Sequence, residues 1–279
     1  MTRSPHHARS SSPATPPVVQ SKALLKLTNG KVATCMSVKL VPSPDVARIA
    51  AHAGVDALYV DLEHGLIDPF VCGQICLAAF DAGITPLVRI PAGDLSLAAR
   101  LLDNGAMGII VPHVETAEDV RRAVRACRYP PLGQRGSVNR LPHWGYSTFP
   151  ADRLQAWLES RTLLVAMIES LDAIDRLDEI AAEPGLDLIW IGMNDLSSSA
   201  GVPGDYDHAS IIKAVTRIRK VCAKYGRKWG VAGLGDNAGL YQRYIDNGAQ
   251  FVSLGSDALL LGRAVRAAVL RMADTVNGP

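Results

Sequence analysis

Short apolar runs in this chain end, one after another, in side chains able to move protons or hold a cation. YVDLEHG ends in Asp61, Glu63 and His64, PLVRIP carries Arg89, VPHVE carries His113, MIES carries Glu169, and IGMNDLS carries Gly192, Asn194 and Asp195. Two acids on a rigid frame are hard oxygen donors, which suits Mg²⁺ or Mn²⁺ with positions left open for water and substrate, and Glu169 and Asp195 are the pair placed for it. His64 follows Asp61 by three residues, close enough for the carboxylate to orient the ring and raise its basicity, which makes a candidate general base. Arg89 has no other charged residue between Asp81 and Asp94, so a guanidinium there calls for a bound anion or a site carboxylate. Each residue also has a plainer role open to it. Glu169 sits beside a helix cap at Ser170, Asp195 is itself a candidate cap, His64 is a loop histidine able to bond backbone, Arg89 suits a structural ion pair, and His113 fits a supporting or core position as well as a catalytic one.

These residues need a scaffold that brings strand ends together. Runs rich in Val, Ile and Leu alternate with segments of helical period, as expected where parallel strands are buried on both faces. The predicted strands are Ala33 to Lys39, Ala57 to Leu62, Pro86 to Ile90, Gly108 to Pro112, Leu163 to Ile168, Asp187 to Gly192, Lys228 to Ala232 and Phe251 to Gly255. Thr116 and Ser170 read as helix caps, the second opening a helix with Leu171, Ile174, Leu177 and Ile180 on one apolar face. Eight such units match a (β/α)₈ TIM barrel, whose chemistry belongs at the carboxyl ends of the strands. A doubly wound open sheet is the alternative, but the G-x-G-x-x-G turn it would want after the first strand is absent; Gly233 and Gly235 miss that spacing and read as turn glycines. A long connection, Tyr129 to Pro150, departs from the rhythm; Arg135, His143, Trp144 and Tyr146 within it are expected to shape the acceptor side of a site.

Composition narrows the function classes. The 279 residues are 48% hydrophobic, enough for a sizeable core, and carry a net charge of +2, which gives no large electrostatic term for nucleic acid or anionic lipid. No apolar run is long enough to cross a membrane. Cys35, Cys72, Cys76, Cys127 and Cys222 form no C-x-x-C pair and read as reduced core thiols, with Cys72 and Cys76 a poor zinc site. Residues 1–20 are rich in Ser, Pro and His and read as a disordered tail before one catalytic domain over 21–279. Asp45 is the first acid of the chain, which leaves mitochondrial targeting open, but Pro5, Pro13, Pro16 and Pro17 oppose the amphipathic helix it needs; the cytoplasm is the expected compartment.

In combination YVDLEHG, PLVRIP, GIIVPHVETAEDVRRAVRACRYPPLGQRG, MIES and IGMNDLS resemble the HpcH/HpaI family of metal-dependent 2-oxo acid aldolases, from about Lys31 to Ala267. The resemblance implies a barrel of the phosphoenolpyruvate/pyruvate-binding type and a class II pyruvate aldolase, which cleaves or forms 4-hydroxy-2-oxo acids through a metal-stabilised pyruvate enolate. It implies that Glu169 and Asp195 hold the divalent ion (Mg²⁺ or Mn²⁺, with Co²⁺ a further candidate), that Arg89 faces the oxo group, and that Asp61 and His64 form the proton-transfer pair. Gly192, Asn194, His113 and Arg135 are the other expected substrate contacts. The expected partners are pyruvate or oxaloacetate and an aldehyde or other acceptor, in a homohexamer that exchanges the last helix, Ser256 to Ala273, between subunits. Two departures bear on substrate: Met167 stands where many members have Gln, and Met193 and Asn194 where many have Pro-Ala. Three rivals remain. One is an oxaloacetate decarboxylase or macrophomate-synthase-like enzyme that traps the enolate with another acceptor. The second is a Schiff-base aldolase with Lys39 as nucleophile, and the third an inert metabolite-binding barrel.

Overall fold

The computed structural model describes residues 21–235 and 237–277. Eight parallel strands close into a barrel in sequence order. They are β1 (Ala33–Val38), β2 (Ala57–Asp61), β3 (Thr85–Arg89), β4 (Gly108–Val111), β5 (Leu163–Ile168), β6 (Leu188–Gly192), β7 (Lys228–Ala232) and β8 (Phe251–Ser256). Each agrees with its predicted run to within a residue at either end. The expected tail, residues 1–20, lies outside the described residues.

Alternation along the strands divides the core in two. Ala33 and Cys35, Ala57 and Tyr59, Leu87, Ile110, Val165 and Met167, Leu188 and Trp190, Ala232 and Phe251 point inward and pack as one cluster. Trp190 sits at its centre, edge-on to Tyr59 at 5.3 Å and tilted against Phe251 at 5.1 Å. Residues of the opposite parity, such as Leu58, Val60, Val88, Ile109, Ile168, Ile189 and Val231, pack outward in a second cluster. Continuing the inward series beyond the last apolar layer reaches Asp61, Arg89, Glu169 and Gly192. The spacing of two that fills the barrel therefore also delivers polar groups to its mouth.

The opposite end is closed by a helix the sequence pattern does not announce, Lys22–Thr28. Its Ala23 and Leu27 belong to the inner cluster, Lys22 and Lys26 pair with the buried Asp56, and Thr85 accepts the Ala23 N–H at 2.9 Å. Two short turns of lysine and leucine carry too little period to be read as amphipathic.

Thr116 caps the helix Ala117–Cys127 in a full capping box with Asp119. Ser170 caps as expected, but its helix breaks at Arg176 into Leu171–Asp175 and Leu177–Ala182. A strict spacing of three drifts by about 60° per turn around a 3.6-residue helix, so one straight helix cannot keep all four apolar residues on the core. The last helix runs longer than predicted, Asp257–Asn277.

The connection from Tyr129 to Pro150 corrects an expectation. It comes after the helix that returns from the mouth, so it lies at the amino-terminal end of the strands. Arg128, just before it, donates to Thr162 O at 3.1 Å, one residue ahead of β5, and to Gly185 O at 3.0 Å, three residues ahead of β6. Arg135 pairs with Asp103 at 2.7 Å over the Tyr129 ring, and His143 packs edge-on to Phe80. Tyr129, Leu141, Trp144, Phe149, Leu154 and Leu158 make a small core of their own. Arg135 and its neighbours thus do not reach the mouth of their own barrel.

Candidate active site

The mouth opens into a cavity of about 520 Å³ whose lining includes Asp61, His64, Arg89, Glu169, Gly192, Asn194 and Asp195. Six of the predicted strand-end residues and the glycine thus meet, from positions spread over more than a hundred residues of chain.

Asp61 and Arg89 are Cα partners in the β2–β3 register. Their side chains form a two-pronged ion pair, with Arg89 Nε donating to Asp61 Oδ1 at 3.0 Å and Nη2 to Oδ2 at 2.6 Å. Asp61 Oδ1 also accepts the backbone N–H groups of Glu63 and His64, each at 3.2 Å, folding the chain at the end of β2. Burial pushes the Asp61 carboxyl up, but the Arg89 bonds and charge outweigh it and hold it below the usual carboxylate range. Burial opposes the Arg89 charge and the carboxylates around it, Asp61 foremost, restore it, leaving its pKa raised.

The expected bond between the Asp61 carboxylate and the His64 ring is therefore corrected. Arg89 takes both oxygens, and His64 meets Asp61 through its backbone. The ring is 55% exposed at the cavity, with Nε2 3.9 Å from Glu63 Oε2. It is free to approach a ligand.

Glu63 is the residue whose place sequence reasoning missed. Its Oε2 lies 3.1 Å from Arg89 Nη1 and its Oε1 3.2 Å from His113 Nε2. The signal was present in the spacing of two from Asp61. His113 in turn sets Nδ1 3.3 Å from Glu169 Oε2, and its backbone N–H donates to the same oxygen at 2.9 Å. A φ of 49° at this non-glycine residue is strained backbone, and it lets one residue offer both groups to one carboxylate. His113 thus acts behind Glu169 and does not form part of the cavity lining.

Glu169 is 4% exposed. Gly192 makes room for it: a Cβ there would stand 2.4 Å from Glu169 Oε1. Burial raises the Glu169 pKa; the His113 bond opposes this and the nearby Asp195 charge reinforces it, with the net shift upward. Asp195 stands in the first turn of the helix Met193–Ser199, whose cap is Gly192 without a side-chain bond, so Asp195 is not spent as a cap. Nor is Glu169 part of the Ser170 cap, where the hydroxyl accepts the Ala173 N–H at 3.0 Å. Asn194 accepts a 2.6 Å bond from the Tyr206 hydroxyl.

Charge counting shows what this arrangement can hold. Four carboxylates face one guanidinium, which Asp61 and Glu63 occupy, and one ammonium, Lys39, which lines the cavity but forms an ion pair with none of them. Glu169 and Asp195 are left repelling each other with only the His113 imidazole between Glu169 and Glu63. Among the described residues no group of three or more His, Cys, Asp or Glu is placed to hold a metal ion, so the protein offers at most a pair of such ligands at one point. Two hard oxygen donors with uncompensated charge suit a divalent cation that takes its other ligands from water and substrate. Zinc finds no such set at Cys72 and Cys76, both buried in the helix Pro69–Asp81.

An eight-stranded barrel with an acidic rim hosts many chemistries, and the comparisons place this one among the carbon–carbon lyases. Residues 40–264 match the model of the HpcH/HpaI aldolase/citrate lyase family, and the chain belongs to that family. It is 33% identical over 247 residues to the 4-hydroxy-4-methyl-2-oxoglutarate aldolase cghB of Chaetomium globosum, covering 88% of this chain and 92% of that one. It is 34% identical over 239 residues to the 4-hydroxy-4-methyl-2-oxoglutarate aldolase tasA of Hapsidospora irregularis, covering 85% and 88%. Among solved structures, the HpcH/HpaI aldolase from Desulfitobacterium hafniense superimposes with a TM-score of 0.84 at 29% identity, over 89% of this chain and 95% of that one.

Proposed function

We propose that this chain is a divalent-metal-dependent pyruvate aldolase, cleaving or forming 4-hydroxy-2-oxo acids. The observation that carries the proposal is the buried Glu169 carboxylate, set against Asp195 at the rim beside the Asp61-clamped Arg89. Family membership and the names of the two fungal aldolases support it.

Glu169 and Asp195 would hold Mg²⁺ or Mn²⁺, with Co²⁺ a further candidate, supplying a Lewis acid for the carboxylate and oxo oxygens of the substrate. Arg89, its planar guanidinium oriented by the two bonds to Asp61, offers a donor where negative charge gathers on the C2 oxygen as the C3–C4 bond breaks. His64 takes the C4 hydroxyl proton in cleavage and returns it in addition, with Glu63 near the ring to favour the imidazolium that forms. Gly192 keeps Glu169 flush with the wall, and Asn194, tied to Tyr206, lines the substrate side. Oxaloacetate decarboxylation would use the same half of the site, with CO₂ leaving in place of the aldehyde or oxo acid.

The homo-oligomer belongs to the same proposal. Leu261, Val265, Val269, Leu270 and Met272 lie exposed on the last helix, apolar surface that a second subunit would cover. Light scattering gives the stoichiometry. The cytoplasm is the proposed compartment, consistent with five free, buried cysteines.

The test is pyruvate release from 4-hydroxy-4-methyl-2-oxoglutarate and from 4-hydroxy-2-oxo acids of neutral aldehydes, with CO₂ release from oxaloacetate measured in parallel. Turnover that needs Mg²⁺ or Mn²⁺ and stops with EDTA supports the proposal. EDTA-resistant turnover with a borohydride-trapped pyruvate adduct on Lys39 rejects it.

A further inference from the structure

One cation of the cavity takes no part in the proton transfers or in holding the oxo-acid end. Lys39 lies two residues beyond Ser37, and Ser37 pairs with Tyr59 in the β1–β2 register. Extending that register puts Lys39 on the level of Asp61 and, through the β2–β3 pairing, of Arg89. The inward parity of Ala33 and Cys35 passes through Ser37 to Lys39, and both Ser37 and Lys39 line the cavity.

The backbone there is fixed. Asp257, 6% exposed at the start of the last helix, accepts the N–H groups of Lys39, Leu40 and Val41 at 3.2, 2.9 and 2.8 Å. On the other side the chain after His64 packs directly on Lys39, since a Cβ on Gly65 would lie 3.1 Å from Lys39 Cβ. The side chain itself is exposed. The Arg89 charge is paired with Asp61 and Glu63, whereas the Lys39 ammonium has no ion-pair partner among the described residues. Around the barrel the order is then Lys39 after β1, His64 after β2, Arg89 on β3, Glu169 after β5 and Asp195 after β6. A substrate whose oxo-acid end lies at Glu169, Asp195 and Arg89 and whose C4 reaches His64 directs its far end toward Lys39. Ser253 and Ser256 line the same side and offer hydroxyls.

We propose that Lys39 determines specificity at the far end of the substrate, its ammonium selecting a terminal carboxylate over a neutral group. This rests on the aldolase proposal for the orientation of the substrate. A neutral aldehyde would leave the ammonium unanswered, whereas a carboxylate forms a charge-assisted bond beside the serine hydroxyls.

The test compares two unreactive ligands that differ only at that end, 2-oxoglutarate and 2-oxopentanoate. Their binding is measured by calorimetry in Mg²⁺ with the wild-type chain, Lys39→Met and Lys39→Arg. The expected result is a preference for 2-oxoglutarate of tenfold or more in the wild type, kept within a few-fold in Lys39→Arg and reduced to less than about threefold in Lys39→Met. A wild type that binds both alike, binds neither, or keeps its preference in Lys39→Met overturns the proposal. Metal-dependent pyruvate turnover is scored separately on the wild type, so failure of the aldolase proposal and failure of the Lys39 proposal give different results.

Discussion

If Asp61 serves Arg89 and not the His64 ring, the acids and bases of the mouth must couple in a definite pattern. Replacing Asp61 with Asn keeps the shape but leaves the guanidinium, 7% exposed, with Glu63 as its remaining charged partner. Two charge-assisted bonds at 3.0 and 2.6 Å become at best one neutral bond. Hydrogen bonds to charged groups contribute about 1.5–3 kcal/mol each, and unpairing a buried charge costs about 3–5 kcal/mol. The continued presence of Glu63 argues for the lower end, so Asp61→Asn should cost about 3 kcal/mol, roughly 6–12 °C in Tm for a chain of this size. Arg89→Met should cost a similar amount, because it leaves Asp61 buried without its partner. The double variant should cost much less than the sum, with a coupling energy of about 2–3 kcal/mol in urea unfolding. The pair Asp61→Asn and His64→Gln should instead be additive within about 0.5 kcal/mol, since the imidazole makes no side-chain bond to the carboxylate. Additivity for Asp61 and Arg89 together with strong coupling of Asp61 to His64 would refute this description of the site.

Three further outcomes rest on the same geometry. His143 is 1% exposed at the barrel's far end, and burial lowers its pKa from 6.5 to about 4. The folded chain therefore binds this proton less readily than the unfolded one. Its contribution is whole above pH 6.5 and is lost as pH falls toward 4, by up to about 3 kcal/mol; His143→Phe should flatten the urea-stability profile in that window. Gly192→Ala places a Cβ 2.4 Å from Glu169 Oε1 and so displaces that carboxylate; it should cut turnover by about 100-fold or more while costing about 1–3 kcal/mol of stability, and equal turnover would show the contact to be slack. Glu169→Gln removes a buried charge that Asp195 repels, so in EDTA it should stabilise the chain by about 1 kcal/mol, measured by urea unfolding; a loss of stability would mean that the charge is already compensated within the protein.

The strands were legible as apolar runs of regular spacing, those of β2 to β6 closed by polar residues, and parity alone carries Asp61, Arg89 and Glu169 inward. Which inward residues touch was not legible. That depends on register between strands, and the pairing of Asp61 with Arg89 is a property of β2 against β3 that neither segment states alone. The same applies to Glu63 and His113, whose roles depend on a left-handed turn at His113. Length alone misplaces the connection containing Arg135, because its position after a returning helix puts it at the far end of the barrel. The helix Lys22–Thr28 escaped because its order comes from plugging the barrel, a tertiary effect that local period does not record.

Whether this chain can form a carbanion from pyruvate turns on Glu169 and Asp195 holding one cation between them. Deuterium uptake at the pyruvate methyl group reads this step alone, because it reports C–H cleavage whatever the acceptor. Exchange is predicted to require Mg²⁺ or Mn²⁺, to stop with EDTA, and to vanish in both Glu169→Gln and Asp195→Asn. Exchange that persists in EDTA or survives both substitutions would show that the two carboxylates hold no catalytic metal.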